Sequence, residues 1–314
     1  MRTSYRPRTM PPMSITVALS SGLRDWLADG LEQNRSPAAM VEALIARQFD
    51  PQVATGLVQA FVNARAGGRP LPENTVRLDV TAPEYRYETP RIAPGNIIRA
   101  GDREIRVLQR LQRPVVVTLA GVLSEEECER LIGLATPRLQ RSTVTDPRTG
   151  TTTAADYRNS DSMFFRLQED PFIAQLDQRF AALMNCPVEN GEGLQVLHYE
   201  QGGHYRPHFD FLVPSNATNS ESIARSGQRL STLIVYLNDV LEGGETVFPE
   251  IGLSVVPRRG DALYFEYTNS RLQTDVKTAH GGAPVGKGEK WIVTKWMRTR
   301  RFVSAPLNRI PKSP

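Results

Sequence analysis

A succession of short strand-like runs fills the second half of the chain and constrains its fold more than any other feature. Leu194–Tyr199, Leu230–Leu237 and Trp291–Trp296 are rich in β-branched and aromatic residues, and glycine or proline turns separate such runs. Many short strands joined in this way are typical of an antiparallel jelly roll or a related barrel rather than of a parallel sheet. A capping box at Ser124–Glu127 and an amphipathic run over Pro171–Met184 predict helices before the strands, so we predict an α+β fold.

Prolines and changes of periodicity divide the chain into five parts. Residues 20–66 carry apolar side chains at helical spacing, with Ser36–Pro37 and Asp50–Pro51 as start signals, and predict a small module of about three helices. Stretches with prolines and little periodicity flank this module. We therefore predict a disordered leader (1–19), the helical module (20–66), a linker (67–113), the main domain (114–303) and a C-terminal tail (304–314).

Two polar segments of the main domain lack a clear periodicity. Residues 136–162 are rich in Thr, Arg, Asp and Gly, and residues 213–228 are rich in Ser and Asn. Long loops inside a compact domain are commonly lids or substrate-binding edges. We therefore predict that both segments are loops able to close over a binding site.

Charge and cysteine usage exclude several classes of protein. The net charge of +4 and the pI of about 9.2 come largely from basic residues in the two tails, so nucleic acid is not an expected partner. Two cysteines, Cys128 and Cys186, do not indicate a disulfide framework. No apolar run approaches the ~20 residues of a membrane span, which leaves a cytoplasmic protein without a membrane partner as the expectation.

His208 and Asp210 form the start of a predicted metal site. They alternate with Phe209 on an extended segment, so both side chains project to the same side and can bind one cation. The chain has only four histidines, at 198, 204, 208 and 280, which leaves three candidates for a further imidazole ligand. We favour His280 because a strand-like run follows it. Two histidines and one carboxylate leave coordination positions open, as in non-haem Fe(II) oxygenases.

An ordered set of motifs surrounds these residues. In chain order the set is Tyr199-x-x-Gly202-x-x-Tyr205-x-x-His208-x-Asp210, Arg229 ahead of a buried strand, Gly243-Gly244-Glu245-Thr246-x-Phe248-Pro249, and His280-x-x-x-Pro284-Val285-x-x-Gly288-x-Lys290-Trp291. With these motifs, residues from about 115 to 302 resemble the catalytic domain of the prolyl 4-hydroxylase branch of the Fe(II)/2-oxoglutarate dioxygenases. The resemblance does not cover residues 1–110. It implies a double-stranded β-helix (jelly-roll) catalytic domain flanked by helices.

The resemblance implies an Fe(II) site at His208, Asp210 and His280 and a cosubstrate anchor at Lys290. The distal carboxylate of 2-oxoglutarate is expected to pair with Lys290, because a buried ammonium needs an anionic partner. Tyr199 and Thr246 are expected to donate further hydrogen bonds to the cosubstrate. Period-two alternation places Ile292, Thr294 and Trp296 on the same strand face as Lys290, so Trp296 is expected at the cosubstrate pocket as well.

The resemblance further implies that Arg229, Tyr205 and Trp296 contact the substrate, with Arg229 near the reacting carbon. A salt bridge at the start of a strand is the alternative for Arg229. Core packing is the alternative for the aromatic residues, Tyr199 included. The remaining histidines, His198 and His204, are expected to be structural or exposed.

The leading hypothesis is an iron- and 2-oxoglutarate-dependent dioxygenase that uses O2 and L-ascorbate to hydroxylate a prolyl residue of a peptide or protein. A second hypothesis gives the same chemistry to a free amino acid or another small molecule. A third is a catalytically silent jelly-roll module with a structural metal, against which the open coordination positions argue. Asp210 favours hydroxylation over halogenation, in which the carboxylate ligand is missing. The oligomeric state is open, with a homodimer as one option.

Overall fold

The computed structural model describes residues 13–47, 49–80, 85–142, 144–145, 152–153, 159–214 and 217–304. The chain divides into two units, residues 1–84 and residues 85–314. Each unit has its own buried apolar core.

The first unit combines three helices with a two-stranded antiparallel sheet. Its elements are β1 (Met13–Ala18), α1 (Ser21–Glu32), α2 (Pro37–Ala46), α3 (Pro51–Ala66) and β2 (Thr75–Val80). Ser20, Ser36 and Asp50 cap the three helices, because each side chain accepts a hydrogen bond from a backbone N–H in the first turn. Phe61 on α3 is fully buried in the core of the unit.

The predicted leader and the predicted linker both need correction. Residues 1–19 are not disordered throughout, because β1 pairs with β2 from Met13↔Val80 to Ala18↔Thr75. Residues 67–113 are not a linker throughout, because they contain β2 and two strands of the second unit, β3 (Ile97–Ala100) and β4 (Arg103–Gln112). Pairing with distant strands has overridden a local composition that is rich in proline. Residues 1–12 of the leader and residues 305–314 of the tail lie outside the described residues.

In the described residues, the second unit contains a nine-stranded major sheet, a four-stranded minor sheet and two short two-stranded sheets, all antiparallel. Its helices are α4 (Glu125–Ala135), α5 (Pro171–Leu183) and α6 (Ala217–Ser226). Its remaining strands are β5 (Val115–Ala120), β6 (Gln140–Arg141), β7 (Val144–Thr145), β8 (Thr152–Thr153), β9 (Asp161–Phe165), β10 (Leu194–Tyr199), β11 (Tyr205–His208), β12 (Arg229–Tyr236), β13 (Glu242–Gly243), β14 (Thr246–Phe248), β15 (Leu253–Val255), β16 (Ala262–Glu266), β17 (His280–Gly282), β18 (Val285–Lys287) and β19 (Lys290–Arg298). The major sheet has the order β3-β4-β5-β16-β12-β19-β10-β9-β6, and the minor sheet has the order β11-β17-β14-β15.

The two sheets face each other across a shared apolar core. Strand β12 shows the arrangement, because Ile234 packs in a cluster with Phe248 of the minor sheet, whereas Leu233 packs in a second cluster with residues of α4 and α5. One face of the major sheet therefore meets the minor sheet and the other face is covered by helices. The predicted α+β jelly-roll fold is confirmed.

The two segments predicted as loops are more ordered than expected where the structure describes them. Residues 213–228 contain α6, so this segment is not a simple loop. Residues 136–162 contain β6, β7, β8 and the start of β9, of which β6 adds to the edge of the major sheet. The rest of this segment, residues 143, 146–151 and 154–158, lies outside the described residues.

Candidate active site

Three side chains from β11, from the bend that follows it and from β17 converge on one point. His208 ends β11, His280 begins β17, and the two residues lie directly opposite each other in the antiparallel pair. Asp210 follows two residues after His208. The ligand atoms of the three residues lie within 4.8 Å of one another, with 3.6 Å between each histidine Nε2 and an Asp210 oxygen. The structure therefore brings these three residues together.

Glycine allows the two ligand-bearing strands to approach this closely. A Cβ atom added at Gly281 would lie 2.7 Å from the carbonyl oxygen of Tyr205, closer than any real contact. Any larger residue at this position would push β17 away from β11 and separate the two imidazoles. The glycine next to His280 is thus part of the geometry of the site.

Backbone carbonyl groups set the orientation of both imidazoles. The Nδ1 atom of His208 lies 3.0 Å from the carbonyl oxygen of Arg206, and the Nδ1 atom of His280 lies 3.0 Å from that of Thr278. Donation from Nδ1 places the proton there and leaves Nε2 as the atom with a lone pair, facing Asp210. Both imidazoles are therefore presented as metal ligands.

Asp210 is held by a buried hydroxyl network. The Thr232 hydroxyl donates to Asp210 Oδ2 at 2.6 Å and lies 3.1 Å from the Tyr267 hydroxyl. Burial would raise the pKa of Asp210, but its interactions with His280, His208, Arg229 and the Thr232 hydroxyl outweigh burial and lower the pKa to about 2. Asp210 is thus a carboxylate at any physiological pH. Sequence reasoning missed Thr232 and Tyr267, although strand alternation from Ile234 already places Thr232 on the inward face of β12.

Lys290 lies between the sheets as a buried cation. Its side chain is 3% exposed, and its Nζ atom lies 5.7 Å from the Tyr199 ring centre and 5.8 Å from that of Tyr236. No carboxylate among the described residues comes within ion-pair distance of Nζ. Burial lowers the pKa of Lys290 to about 8, against a smaller raising effect of Glu245. A buried ammonium in this state favours an anionic ligand.

Thr246 and Tyr199 lie beside Lys290, as the sequence predicted for a common pocket. Thr246 is on β14 and accepts a hydrogen bond of 2.9 Å from the hydroxyl group of Tyr236. Tyr199 is opposite Lys290 in the β10–β19 pair and is almost fully buried. Sequence reasoning missed Tyr236, which follows from the alternation of β12 once its inward face is known.

Arg229 and Trp296 form a stacked pair at the other end of the cavity. The guanidinium carbon of Arg229 lies 4.1 Å from the Trp296 ring centre. Arg229 also donates two hydrogen bonds to Glu192, at 2.7 and 2.9 Å, and one of 3.2 Å to the backbone oxygen of Asp210. The salt bridge that we considered as an alternative for Arg229 is therefore present. Trp296 Nε1 is buried and has no hydrogen-bond partner in the part of the chain that the structure describes.

The remaining aromatic and histidine residues are placed as follows. Tyr205 stacks on the imidazole of His208 at 3.8 Å between ring centres. His198 pairs with Glu289 and lies away from the metal-ligand cluster, and His204 contacts the backbone oxygen of Gly202. The structural interpretation of His198 and His204 agrees with these contacts.

All nine predicted site residues line a single cavity of about 1220 Å³. These are His208, Asp210, His280, Lys290, Tyr199, Thr246, Arg229, Tyr205 and Trp296. The face of β19 that carries Lys290, Ile292, Thr294 and Trp296 forms part of the wall, as period-two alternation predicted. Of the two cysteines, Cys128 is buried, Cys186 is partly exposed, and both are free. Within the described ranges, no helix is long and apolar enough to cross a membrane.

The residues present fit a ferrous ion and a dicarboxylate cosubstrate. Two neutral imidazole nitrogens and one carboxylate are ligands suited to Fe(II), and three ligands leave positions open. A dicarboxylate cosubstrate requires a cation in the same cavity as the metal ligands. The buried ammonium of Lys290, which has no ion-pair partner among the described residues, meets this requirement.

Comparison with known proteins points to the same chemistry. Residues 194–298 match the family model of the 2OG-Fe(II) oxygenase superfamily. Probable prolyl 4-hydroxylase 3 of Arabidopsis thaliana is 40% identical over 223 residues, which cover 65% of this chain and 75% of that protein. Prolyl 4-hydroxylase 1 of the same organism is 41% identical over 202 residues, which cover 60% of this chain and 70% of that protein. The viral collagen prolyl hydroxylase of Paramecium Bursaria Chlorella virus-1 shares 28% identity, with 58% of this chain and 94% of that chain covered and a TM-score of 0.46.

The facing sheets, the His208–Asp210–His280 cluster and the matched family model define a 2-oxoglutarate-dependent Fe(II) dioxygenase. The sequence identity of 40% with Probable prolyl 4-hydroxylase 3, over 75% of that protein, assigns the chain to a family within this class of dioxygenases. The chain belongs to the prolyl 4-hydroxylase family. The resemblance predicted from the motifs is confirmed.

Proposed function

We propose that this chain hydroxylates a prolyl residue of a peptide or protein, with Fe(II), 2-oxoglutarate and O2. The observation that carries the proposal is the convergence of His208, Asp210 and His280 in a cavity that also contains the buried cation Lys290. Membership of the prolyl 4-hydroxylase family supports proline as the target. The relatives from Arabidopsis thaliana carry that activity in their names.

The proposed metal ligands are the Nε2 atoms of His208 and His280 and one carboxylate oxygen of Asp210. The carbonyl groups of Arg206 and Thr278 keep the two Nδ1 protons in place, so neither imidazole has to change its tautomer on binding. When bound, the iron and 2-oxoglutarate would activate O2, with one oxygen atom going to succinate as carbon dioxide is lost and the other going to the hydroxylated carbon. L-ascorbate is proposed as the reductant that maintains ferrous iron.

Lys290 is the proposed anchor for the distal carboxylate of 2-oxoglutarate. Its ammonium is buried and has no ion-pair partner in the described part of the chain. Burial has already removed most of its hydration, so a bound carboxylate compensates the charge at little further desolvation cost to the lysine. Thr246 accepts its hydrogen bond from Tyr236, which leaves the Thr246 hydroxyl proton able to donate to the same carboxylate. Tyr199 forms the wall on the β10 side and is proposed as a further donor.

Trp296, Arg229 and Tyr205 are the proposed substrate side of the cavity. Trp296 Nε1 is a buried donor without a partner among the described residues and lines the cavity, so a peptide carbonyl group is its proposed acceptor. All three guanidinium nitrogens of Arg229 already donate to Glu192 or to the Asp210 backbone. We therefore propose that Arg229 positions Trp296 and Asp210, and that Tyr205 shields the metal ligand His208.

The size of the cavity favours a peptide over a free amino acid. Its volume of about 1220 Å³ exceeds the roughly 300–1,000 Å³ of most small-molecule pockets. Extended proline-containing segments are pre-organised and lose little entropy on binding. The free thiols of Cys128 and Cys186 support a reducing compartment, and we propose a cytoplasmic location on that basis.

A peptide library tests the proposed function. Proline-containing peptides and free proline are incubated separately with the protein, Fe(II), 2-oxoglutarate and ascorbate, and mass spectrometry detects a gain of one oxygen. We expect modified peptides with the wild type and none with Asp210→Ala. Modification of free proline alone would support the small-molecule hypothesis instead.

A binding measurement separates substrate choice from cofactor binding. Anaerobic Fe(II) and 2-oxoglutarate should produce a weak visible charge-transfer band with the wild type, and Asp210→Ala should remove this band. A wild-type protein without the band would contradict the proposed cofactor site itself.

A further inference from the structure

Three apolar side chains stay exposed at the mouth of the active-site cavity. Phe164 is 54% exposed, Phe209 is 41% exposed and Val213 is 44% exposed, and all three line the cavity that contains the metal ligands. We call these three residues the apolar rim. Apolar side chains gathered at one opening indicate a binding surface, whereas isolated exposed apolar residues need no explanation.

Phe164 lies on the same sheet face as the active-site wall of β19. On β9, Met163 and Phe165 pack into the core beneath the helices, so alternation directs Phe164 to the opposite face. Phe164 is paired with Gln195 of β10, which is paired with Thr294 of β19, and both partners line the cavity. Two strand spacings, about 10 Å, therefore separate Phe164 from Thr294.

The backbone of Phe164 is fixed by its neighbours. The Arg138 guanidinium donates a hydrogen bond of 3.1 Å to the Phe164 carbonyl group and pairs with Glu169 at 2.7 Å. Strand β9 is thus fixed on one side by its pairing with β10 and on the other side by the hydrogen bond from Arg138. A ring that is exposed on a fixed strand loses little entropy when a ligand covers it.

Phe209 is also held in place while it stays exposed. Its ring stacks on the buried ring of Phe211, with 4.6 Å between ring centres and an interplanar angle of 22°. Phe209 lies between His208 and Asp210 in sequence, so the apolar rim reaches from the metal ligands to the edge of the major sheet.

We propose that the apolar rim binds an apolar residue of the substrate peptide about four positions from the target proline, with Phe164 as a specificity-determining residue. The metal ligand Asp210 is hydrogen-bonded to Thr232 of β12, one strand beyond β19, so three strand spacings, about 14 Å, separate the strand of Phe164 from the strand beside the metal ligands. An extended or polyproline II chain rises about 3.1–3.4 Å per residue, so this distance corresponds to about four residues. The inference rests on the proposed function and deepens it. The substrate class is a peptide with proline, leucine or another apolar residue at that distance from the target proline, rather than a charged residue.

An acidic flank is the competing possibility, because Arg141 and Arg206 also line the cavity. Arg141, however, already contacts the side chains of Asn159 and Asp161. The two arginines are therefore no reason to expect a preference for an acidic peptide, and a peptide with Asp at the variable position tests this alternative.

Three peptides of equal length and one central proline test the inference. They differ only four positions from the proline on both sides, where they carry Leu, Gly or Asp. Hydroxylation is followed by mass spectrometry as a function of peptide concentration. The wild type should prefer the Leu peptide to the Gly peptide by roughly 10-fold in kcat/KM, the difference that burial of one apolar side chain supplies.

Phe164→Ala should reduce this preference to about twofold, through a higher KM for the Leu peptide, and Phe164→Leu should retain part of it. Leu241→Ala is the matched control, because Leu241 is 76% exposed but does not line the cavity. The thermal midpoint and the 2-oxoglutarate affinity of each variant check that the fold is intact. A preference that survives Phe164→Ala, or a wild-type preference for Asp, would overturn the inference and leave the proposed function standing. Failure of the wild type to oxidise any peptide would instead contradict the proposed function, and this inference with it.

Discussion

Lys290→Met is the most informative single change, because it should weaken cosubstrate binding and stabilise the empty protein at the same time. The substitution keeps an unbranched side chain of similar length and removes only the charge. In the native protein the ammonium is 3% exposed and has no ion-pair partner in the described ranges. The two expected effects have opposite signs, so a general disturbance of the fold cannot produce both.

The size of the binding effect follows from the burial of the charge. Loss of one partner of a buried, hydrogen-bonded charge pair costs about 2–5 kcal/mol. A value near 3 kcal/mol corresponds to a roughly 100-fold higher Kd for 2-oxoglutarate. The metal ligands belong to another part of the cavity, so the affinity for the metal should stay within about threefold.

The size of the stability effect follows from the pKa. Burial lowers the pKa of Lys290 from 10.5 to about 8, which corresponds to about 3 kcal/mol of cost for the charged form. Below pH 8 Lys290 is protonated in the folded and the unfolded state, so the folded wild type carries the whole cost. Between about pH 8 and 10.5 the unfolded state binds more protons, and wild-type stability should rise with pH. Lys290→Met should lack this rise and should unfold at higher denaturant concentration at pH 7.

Binding of the cosubstrate should show the complementary pH dependence. A bound carboxylate raises the pKa of Lys290, so above about pH 8 the protein must take up a proton to bind, and the wild-type affinity should fall by up to about tenfold per pH unit. Lys290→Arg keeps its charge and should remove this dependence.

The assay is isothermal titration of 2-oxoglutarate without oxygen, in the presence of a redox-inert divalent ion, together with urea unfolding of the empty protein. Lys287→Met is the matched control, because Lys287 is an exposed lysine three residues away on β18. A Kd for 2-oxoglutarate that changes less than threefold, or a parallel loss of metal affinity, would refute the anchor role of Lys290.

Two further predictions concern the support of Asp210 and a buried ion pair between α5 and the face of β19 that points away from the cavity. Thr232→Val removes the 2.6 Å hydrogen bond to Asp210 at nearly constant volume and should lower metal affinity by about 10- to 100-fold in a metal titration; an affinity within twofold of the wild type would show that the hydroxyl is dispensable. The fully buried ammonium of Lys295 lies 2.6 Å from a carboxylate oxygen of Asp177. Asp177→Asn removes this counter-ion and should lower the free energy of unfolding, measured in urea, by about 3–5 kcal/mol. The double variant Asp177→Asn/Lys295→Met should recover much of this loss, and additive losses would contradict the pairing.

Local patterns in the sequence were sufficient for the parts of the site that lie close together along the chain. The alternation of β19 placed Lys290 and Trp296 on one face. This prediction holds because the direction of a strand side chain depends only on its own backbone. His208 and Asp210 also converge, although β11 ends at His208 and a bend, not strand alternation, directs Asp210. The ordered motifs also sufficed for the family, because they hold the residues that its chemistry requires.

The partners that hold these residues in place came only from the tertiary structure. Thr232 and Tyr236 support the metal ligand and the cosubstrate pocket from β12, and Glu192 takes up the charge of Arg229 from a distant turn. The alternation of β12 indicates that Thr232 and Tyr236 share the face of Ile234, but not which distant residues they contact, and each contact requires segments that are far apart in sequence to meet.

The same division explains the corrected boundaries of the fold. The sequence by itself determined the jelly-roll class, the capped helices and the residues that face a common cavity, because periodicity and capping are encoded in neighbouring side chains. Only the tertiary structure decided that residues 13–18 pair with residues 75–80, and that β3 and β4 extend the major sheet. Strand pairing depends on hydrogen-bond partners many residues away. The local sequence of a strand does not determine which distant strand will form hydrogen bonds with its backbone N–H and C=O groups.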